Sequence, residues 1–147
     1  MRKEAEEIQG ILSQIVEGFI HTEISKKEAF VASYRPYADS SILKAALQSV
    51  EMILKGALQE AELLLNSVIA LYPDVPELLN IKGIVVLTHS GPEAAEQAFR
   101  SVIAFDKSNY NALSILGELF ILQQKHQEAL QLYIHALQHY PSNETLS

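Results

Sequence analysis

The chain has 147 residues, 48% of them hydrophobic, and its formal net charge at pH 7 is −7. This length predicts one domain with a sizeable core, and the acidic charge disfavours nucleic acid as a partner because phosphate groups would be repelled. The absence of cysteine excludes disulfides and cysteine-ligated zinc. No apolar run approaches the roughly 20 residues needed to cross a bilayer, and no signal-peptide pattern opens the chain, so we expect a cytoplasmic protein without a membrane span.

Residues 1–41 are predicted to form a helical extension in front of the main domain. Over residues 4–20, apolar side chains recur three and four positions apart, which predicts one amphipathic helix. The tetrapeptide SKKE at residues 25–28 has the form of a capping box and predicts a second helix. Pro36 disfavours helical geometry at Arg35, so this second helix is expected to end there.

A pattern with a period of about 34 residues follows this extension. Ala61, Ala95 and Ala129 stand one such period apart; a bulky residue follows each alanine by four positions, and Ser or Gly precedes each by twelve. Such fixed self-similarity is typical of stacked helical repeats. We predict three units, at residues 42–75, 76–109 and 110–143. Each contains a pair of helices, at residues 41–54 and 57–71, 76–88 and 92–105, and 110–122 and 126–140.

The third unit resembles the tetratricopeptide repeat (TPR), a helix-turn-helix repeat with small and bulky residues at fixed positions. The residues that carry the resemblance are Leu113, Leu116, Gly117, Phe120, Ala129, Tyr133, Ala136 and Pro141. The middle unit shares Gly83, Ala95 and Phe99 with this pattern, and the first unit matches it more weakly. The resemblance implies an all-α fold, a TPR superhelix of three helix-turn-helix repeats with an N-terminal helical extension, and a role in binding proteins.

In TPR proteins the first helix of each pair lines a concave groove, where partners are expected to bind. The positions that line this groove here are mostly apolar: Leu43, Ala46, Val50, Ile53, Asn80, Ile84, Leu87, Ser114, Glu118, Ile121 and Leu122. An apolar groove of this kind fits an amphipathic helix of a partner protein. The same apolar surface is compatible with an alternative, in which the chain's own N-terminal helix fills the groove.

A second apolar surface is predicted on the last helix, where Leu130, Ile134 and Leu137 recur at helical spacing. No helical pattern follows Pro141, so nothing further along this sequence is expected to cover these side chains. A partner protein or a second copy of the chain would then cover them. The alternative to partner binding is therefore a structural homo-oligomeric TPR scaffold, a homodimer in the simplest case.

Motifs for chemistry are missing from the sequence. It contains no glycine-rich phosphate loop, nucleophile elbow or zinc-protease motif. His135 and His139 stand four positions apart, but two ligands are too few for a metal site. We therefore predict no catalytic residue, no enzymatic activity, no metal and no cofactor.

The small size, acidic charge, apolar groove and added N-terminal helices together resemble one subgroup of TPR proteins, the type III secretion chaperones that hold needle subunits before export. This resemblance implies two partners, a needle subunit held by its C-terminal helix and a small helical co-chaperone. The predicted function is thus a non-catalytic adaptor or chaperone that takes part in protein transport.

Overall fold

The computed structural model describes residues 2–139 for the backbone and 6–138 for the side chains. Within this range, the segments whose apolar residues recur at helical spacing form helices. Within that part the fold is all-α, as predicted, and contains no strand. The helices are α1 (Arg2–His21), α2 (Lys27–Ala32), α3 (Ser41–Leu54), α4 (Leu58–Leu71), α5 (Pro76–Ser90), α6 (Pro92–Phe105), α7 (Tyr110–Leu122) and α8 (His126–His139). The predicted ends of α3 to α8 differ from these by at most two residues, except that residue 140, like Pro141, lies outside the described residues. None of the described helices is long and apolar enough to cross a membrane.

The start of α2 differs from the sequence prediction. A 3₁₀ turn at Ile24–Lys26 precedes the helix, so Ser25 lies inside a helical turn instead of at the N-cap. Lys26 is the N-cap of α2 and its side chain makes no capping hydrogen bond, so the predicted capping box is wrong. The helix also ends early, at Ala32, and a second 3₁₀ turn at Arg35–Tyr37 leads into α3. Local turn geometry has replaced the side-chain cap.

Caps and left-handed turns set the limits of the paired helices. Ser40 is the N-cap of α3, and its side chain accepts a hydrogen bond from the backbone N–H of Leu43 at 3.2 Å. The turn inside each of the first two pairs contains a glycine with positive φ, Gly56 (80°) and Gly91 (91°). Gln124, with φ of 60°, takes the corresponding role between α7 and α8. Each pair therefore closes through one residue in or near the left-handed region.

The helices pack as three consecutive hairpins, α3 with α4, α5 with α6 and α7 with α8, and neighbouring hairpins meet through α4–α5 and α6–α7. Small residues at the repeat period permit this packing. A Cβ atom added to Gly83 would lie 2.6 Å from the ring of Phe99, and one added to Gly117 would overlap Tyr133. The glycines are thus required because the aromatic side chain of the second helix rests directly on the backbone of the first.

The N-terminal helix α1 lies across the three hairpins and contacts α3, α5 and α7, while α2 packs against α1 and α3. The apolar stripe of α1 is almost completely buried, at Leu12, Ile15, Val16 and Phe19. These four side chains belong to the same continuous core as those of the repeats. The extension is therefore an integral part of the folded unit.

Candidate functional site

The predicted groove corresponds to the side of α3, α5 and α7 that faces α1, which we call the inner wall. Its predicted lining residues fall into three groups by exposure. Those on α3 and α5 are buried or partly buried, and those towards the end of α7 are exposed. The buried group is Leu43, Ala46, Val50, Asn80 and Ile84; the partly buried group is Ile53, Leu87 and Ser114; the exposed group is Glu118, Ile121 and Leu122.

The expectation of an unoccupied groove is wrong along α3 and α5, because α1 lies on that part of the inner wall. The alternative open at the sequence level, in which the chain's own first helix fills the groove, describes this part of the molecule. The physical reason is that α1 carries an apolar stripe of its own, and burying it removes two apolar surfaces from water at once. A segment of the same chain also meets the wall at high effective concentration. A partner helix would have to displace α1 to reach these residues.

Polar contacts hold α1 in place at the edge of this wall. The Asn111 side chain on α7 donates from Nδ2 to the backbone carbonyl oxygen of Ser13, at 3.2 Å. Further along, Ser114 Oγ lies 3.4 Å from Nε2 of His21. Ser114 therefore contacts the chain's own first helix, although the sequence assigned it to the partner-binding groove.

A buried carboxylate, Glu77 on α5, is the centre of a polar cluster beneath these contacts. Its Oε1 accepts hydrogen bonds from Nδ2 of Asn80 at 3.0 Å and of Asn111 at 2.9 Å, and its Oε2 accepts one from Nδ2 of Asn109 at 2.9 Å. All four residues are buried. Glu77 and Asn111 occupy equivalent positions of the second and third units. The 34-residue repeat could therefore have indicated that these two residues lie close together. The cluster ties α5 to α7 through these hydrogen bonds, while Oδ1 of Asn80 and Oδ1 of Asn111 are buried without a partner among the described residues.

The remaining exposed positions form one surface at the end of the stack, which we call the terminal face: Glu118 and Ile121 on α7, and Leu130 and Ile134 on α8. These lie on the sides of α7 and α8 that are turned away from α6, because buried residues occupy the other sides of both helices. The three aliphatic side chains are 47%, 56% and 48% exposed. Leu122 (73%) and Leu137 (56%) are exposed nearby. Among the described residues, no helix packs on this face.

The terminal face differs from its counterpart inside the stack. Leu130 and Ile134 on α8 are the repeat equivalents of Glu96 and Arg100 on α6, two of the residues through which α6 contacts the next hairpin. Glu96 forms an ion pair with Lys125 at 3.0 Å, and the Arg100 guanidinium lies 5.1 Å from the ring centre of Phe120. At these two positions the internal junction thus has charged side chains, whereas the exposed end has aliphatic ones.

The carboxylate of Glu96 at the internal junction is paired with two cationic side chains. Burial raises the pKa of Glu96, but hydrogen bonds from Lys125 and Arg100 outweigh burial, so that the pKa of this carboxyl lies below its ordinary value. Its side chain is only 12% exposed. Glu118 differs, because no ion pair or hydrogen bond engages its side chain within the described part of the chain.

Comparison of the chain with protein-family models, with curated proteins and with solved structures finds no match. The residues themselves therefore carry the functional interpretation. Among the described side chains, no group of three or more His, Cys, Asp or Glu residues is placed to hold a metal ion. The side chain of His139 lies outside the described side chains.

Proposed function

We propose that this protein is a non-catalytic protein-binding module of the TPR type, which holds an amphipathic helix of a partner protein on its terminal face. Three helix hairpins in consecutive repeat units, with an aromatic ring resting on a glycine in two of them, support the TPR assignment. The helical spacing of Leu130 and Ile134 supports a helical ligand, because aliphatic side chains one turn apart pack against a similar stripe.

The observation that carries the proposal is the reversal of polarity between the internal and the terminal positions. The end of a repeat stack normally has a polar outer face, since water covers it. Here the internal positions are Glu62 and Asn66 in the first unit and Glu96 and Arg100 in the second, and the terminal ones are Leu130 and Ile134. A surface that becomes more apolar at the last described hairpin is typical of an interface that another part of a protein covers, and we propose that a partner covers it.

The strength of such an interface follows from its area, and it is modest. Full burial of one aliphatic side chain is worth roughly 1.5–3 kcal/mol. Because Ile121, Leu130 and Ile134 are already about half buried, covering them contributes on the order of 2–5 kcal/mol. The ordering and association costs of binding consume a comparable amount. The partner must therefore make further contacts, either with neighbouring side chains such as Leu122 or with charged groups at the edge.

The narrower role of a type III secretion needle-subunit chaperone stays a prediction from the resemblance, as does the cytoplasmic location. Since α1 lies on α3 and α5, we place the partner's helix on the terminal face in this role as well. A small co-chaperone would then bind elsewhere on the molecule.

The proposal is tested by restoring internal polarity to the terminal face. The double variant Leu130→Glu/Ile134→Arg places there the residues that the second unit carries at the same positions. Both side chains are about half exposed, so the variant should keep the wild-type helicity by circular dichroism. We expect it to lose the partner that wild-type protein captures from source cells, measured by quantitative mass spectrometry after affinity capture.

A matched control is the double variant Leu63→Glu/Leu71→Arg, which changes two more exposed leucines (71% and 75%) on α4. It has the same change in charge and removes more exposed apolar surface, and we expect it to retain the partner. Equal recovery of every captured protein by both double variants and by wild type would contradict the assignment of the terminal face.

A further inference from the structure

We infer that the terminal face selects a partner helix with a lysine or arginine opposite Glu118, docked where the first helix of a further hairpin would lie. This inference rests on the proposed function and deepens it by naming the chemistry of the partner. It combines the repeat geometry, which gives the position of the helix, with the charge of Glu118, which has no partner among the described residues and gives the sequence preference.

The position of the docked helix follows from the two junctions inside the stack. At the first junction α5 packs against α3 and α4, and at the second α7 packs against α5 and α6. Each hairpin thus receives one helix of the following hairpin on the side turned away from the preceding one. The terminal face is that same side of α7 and α8. A further helix can therefore pack there in the way that α5 packs on the first hairpin and α7 on the second.

The charge preference follows from the residue at one position of the repeat. Val50, Ile84 and Glu118 occupy this position in the first, second and third units, and the first two are buried. In the third unit a carboxylate takes this place, exposed and without an ion-pair partner among the described residues. A helix that covered this carboxylate without offering a cation would leave a desolvated charge, which is strongly unfavourable. A lysine or arginine on the helix would satisfy it, as Lys125 satisfies Glu96 at the junction before.

A second copy of this chain is a poorer occupant for the same reason. Each copy carries a net charge of −7, and symmetric pairing of terminal faces would bring two copies of Glu118 into one interface. Head-to-tail stacking is also hindered, because α2 packs against α3 at the other end of the stack. A basic amphipathic helix meets neither obstacle.

The test uses three designed peptides of about 20 residues, each a helix with one leucine stripe. They are identical except at two positions beside the stripe, which carry Lys, Gln or Glu. Binding to the full-length protein is measured by fluorescence anisotropy. We expect the Lys peptide to bind at least about tenfold more tightly than the Glu peptide, with the Gln peptide between them.

The variant Glu118→Gln should lose most of this discrimination, and Glu118→Lys should reverse it. The control Glu62→Gln removes the same charge from an exposed position on α4 and should preserve the discrimination. If Glu118→Gln and Glu62→Gln discriminate among the peptides equally, the preference comes from net charge alone and the inference is overturned.

Failure of the proposed function would have a different signature from failure of this inference. If all three peptides bind Leu130→Glu/Ile134→Arg as they bind wild type, the terminal face is not the docking surface. If the terminal face binds all three peptides with the same affinity, the terminal face is still the docking surface, but the proposed selection by Glu118 is wrong. If no peptide binds and the protein sediments as a dimer that Leu130→Glu/Ile134→Arg dissociates, a second copy is the occupant and the inference is overturned.

Discussion

Asn111 on α7 donates a hydrogen bond to the backbone carbonyl oxygen of Ser13 on α1, at 3.2 Å and across 98 residues of sequence. The same amide group donates to Oε1 of Glu77 at 2.9 Å. One side chain of the third hairpin thus contacts both the N-terminal helix and the buried carboxylate of the second hairpin. The relation shows why α1 is an integral layer of the fold, since it is held by the same polar cluster that joins the hairpins.

The variant Asn111→Ala should loosen α1 and destabilise the protein. It removes two hydrogen bonds, one of them to a buried carboxylate, so we expect the free energy of unfolding to fall by about 1–3 kcal/mol in urea titrations. Amide hydrogen exchange in α1 should become faster than in α4, because α1 loses a direct tether. The exposed Asn66 on α4 is the control, and Asn66→Ala should change stability by no more than about 0.5 kcal/mol. Similar effects of the two substitutions would show that the tether contributes little.

Two glycine-to-alanine substitutions should change stability in opposite directions. In Gly83→Ala the new methyl group would lie 2.6 Å from the Phe99 ring, and such overpacking costs about 1–3 kcal/mol. This exceeds the gain of about 0.5–1 kcal/mol that alanine brings to a helix interior. Gly10→Ala on α1 brings the gain alone, because nothing lies within 4 Å of the added atom.

Thermal and urea unfolding of both glycine variants check this prediction. Replacing Phe99 by leucine in the Gly83→Ala background should recover part of the loss, because the smaller side chain makes room for the methyl group. Stabilisation by both single substitutions would mean that the contact between α5 and α6 is looser than the structure indicates.

The ion pair at Glu96 should make part of the stability dependent on pH. The pKa of this carboxyl is below its ordinary value, because hydrogen bonds from Lys125 and Arg100 outweigh the effect of burial. In the unfolded chain a glutamate has a pKa of about 4.3. The unfolded state therefore binds a proton first, and the stabilisation is fully present above about pH 4.3 and is lost as the pH falls through the folded-state pKa.

Urea titrations between neutral and acidic pH would measure this effect. The difference in the free energy of unfolding between wild type and Glu96→Gln should be largest near neutral pH and should shrink on acidification. The control Glu62→Gln changes an exposed glutamate at the equivalent position of the first unit. A pH-independent difference for Glu96→Gln would argue against a pKa lowered by the ion pair.

Much of the helical architecture could be predicted from the sequence, because its signals are local. Pro76 and Pro92 in the first turns and apolar residues three and four positions apart act between residues close in the chain, and the 34-residue period repeats these signals. These signals place α3 to α8 almost to the residue. The start of α2 could not be predicted so well, since a short 3₁₀ turn competes with a capping box at similar energy.

The candidate surface was predictable only in part. Spacing identified Leu130 and Ile134 as an apolar stripe on the last helix, and the resemblance to TPR proteins assigned Ile121 and Glu118 to the concave groove. The two pairs were thus assigned to different surfaces, because helical periodicity relates residues of one helix and not of two. The packing of α7 against α8 joins them into one face.

Which residues form helices, and which side of each helix is apolar, can be read from the amino-acid pattern, since propensity, caps and helical spacing depend on neighbouring residues. What each apolar side contacts follows from how the helices pack. The stripe of α1 and the inner wall of α3 and α5 are each apolar, and nothing local states that they meet each other instead of a partner. That choice depends on chain connectivity and on the Asn111–Ser13 contact, and it leaves Ile121, Leu130 and Ile134 on α7 and α8 exposed.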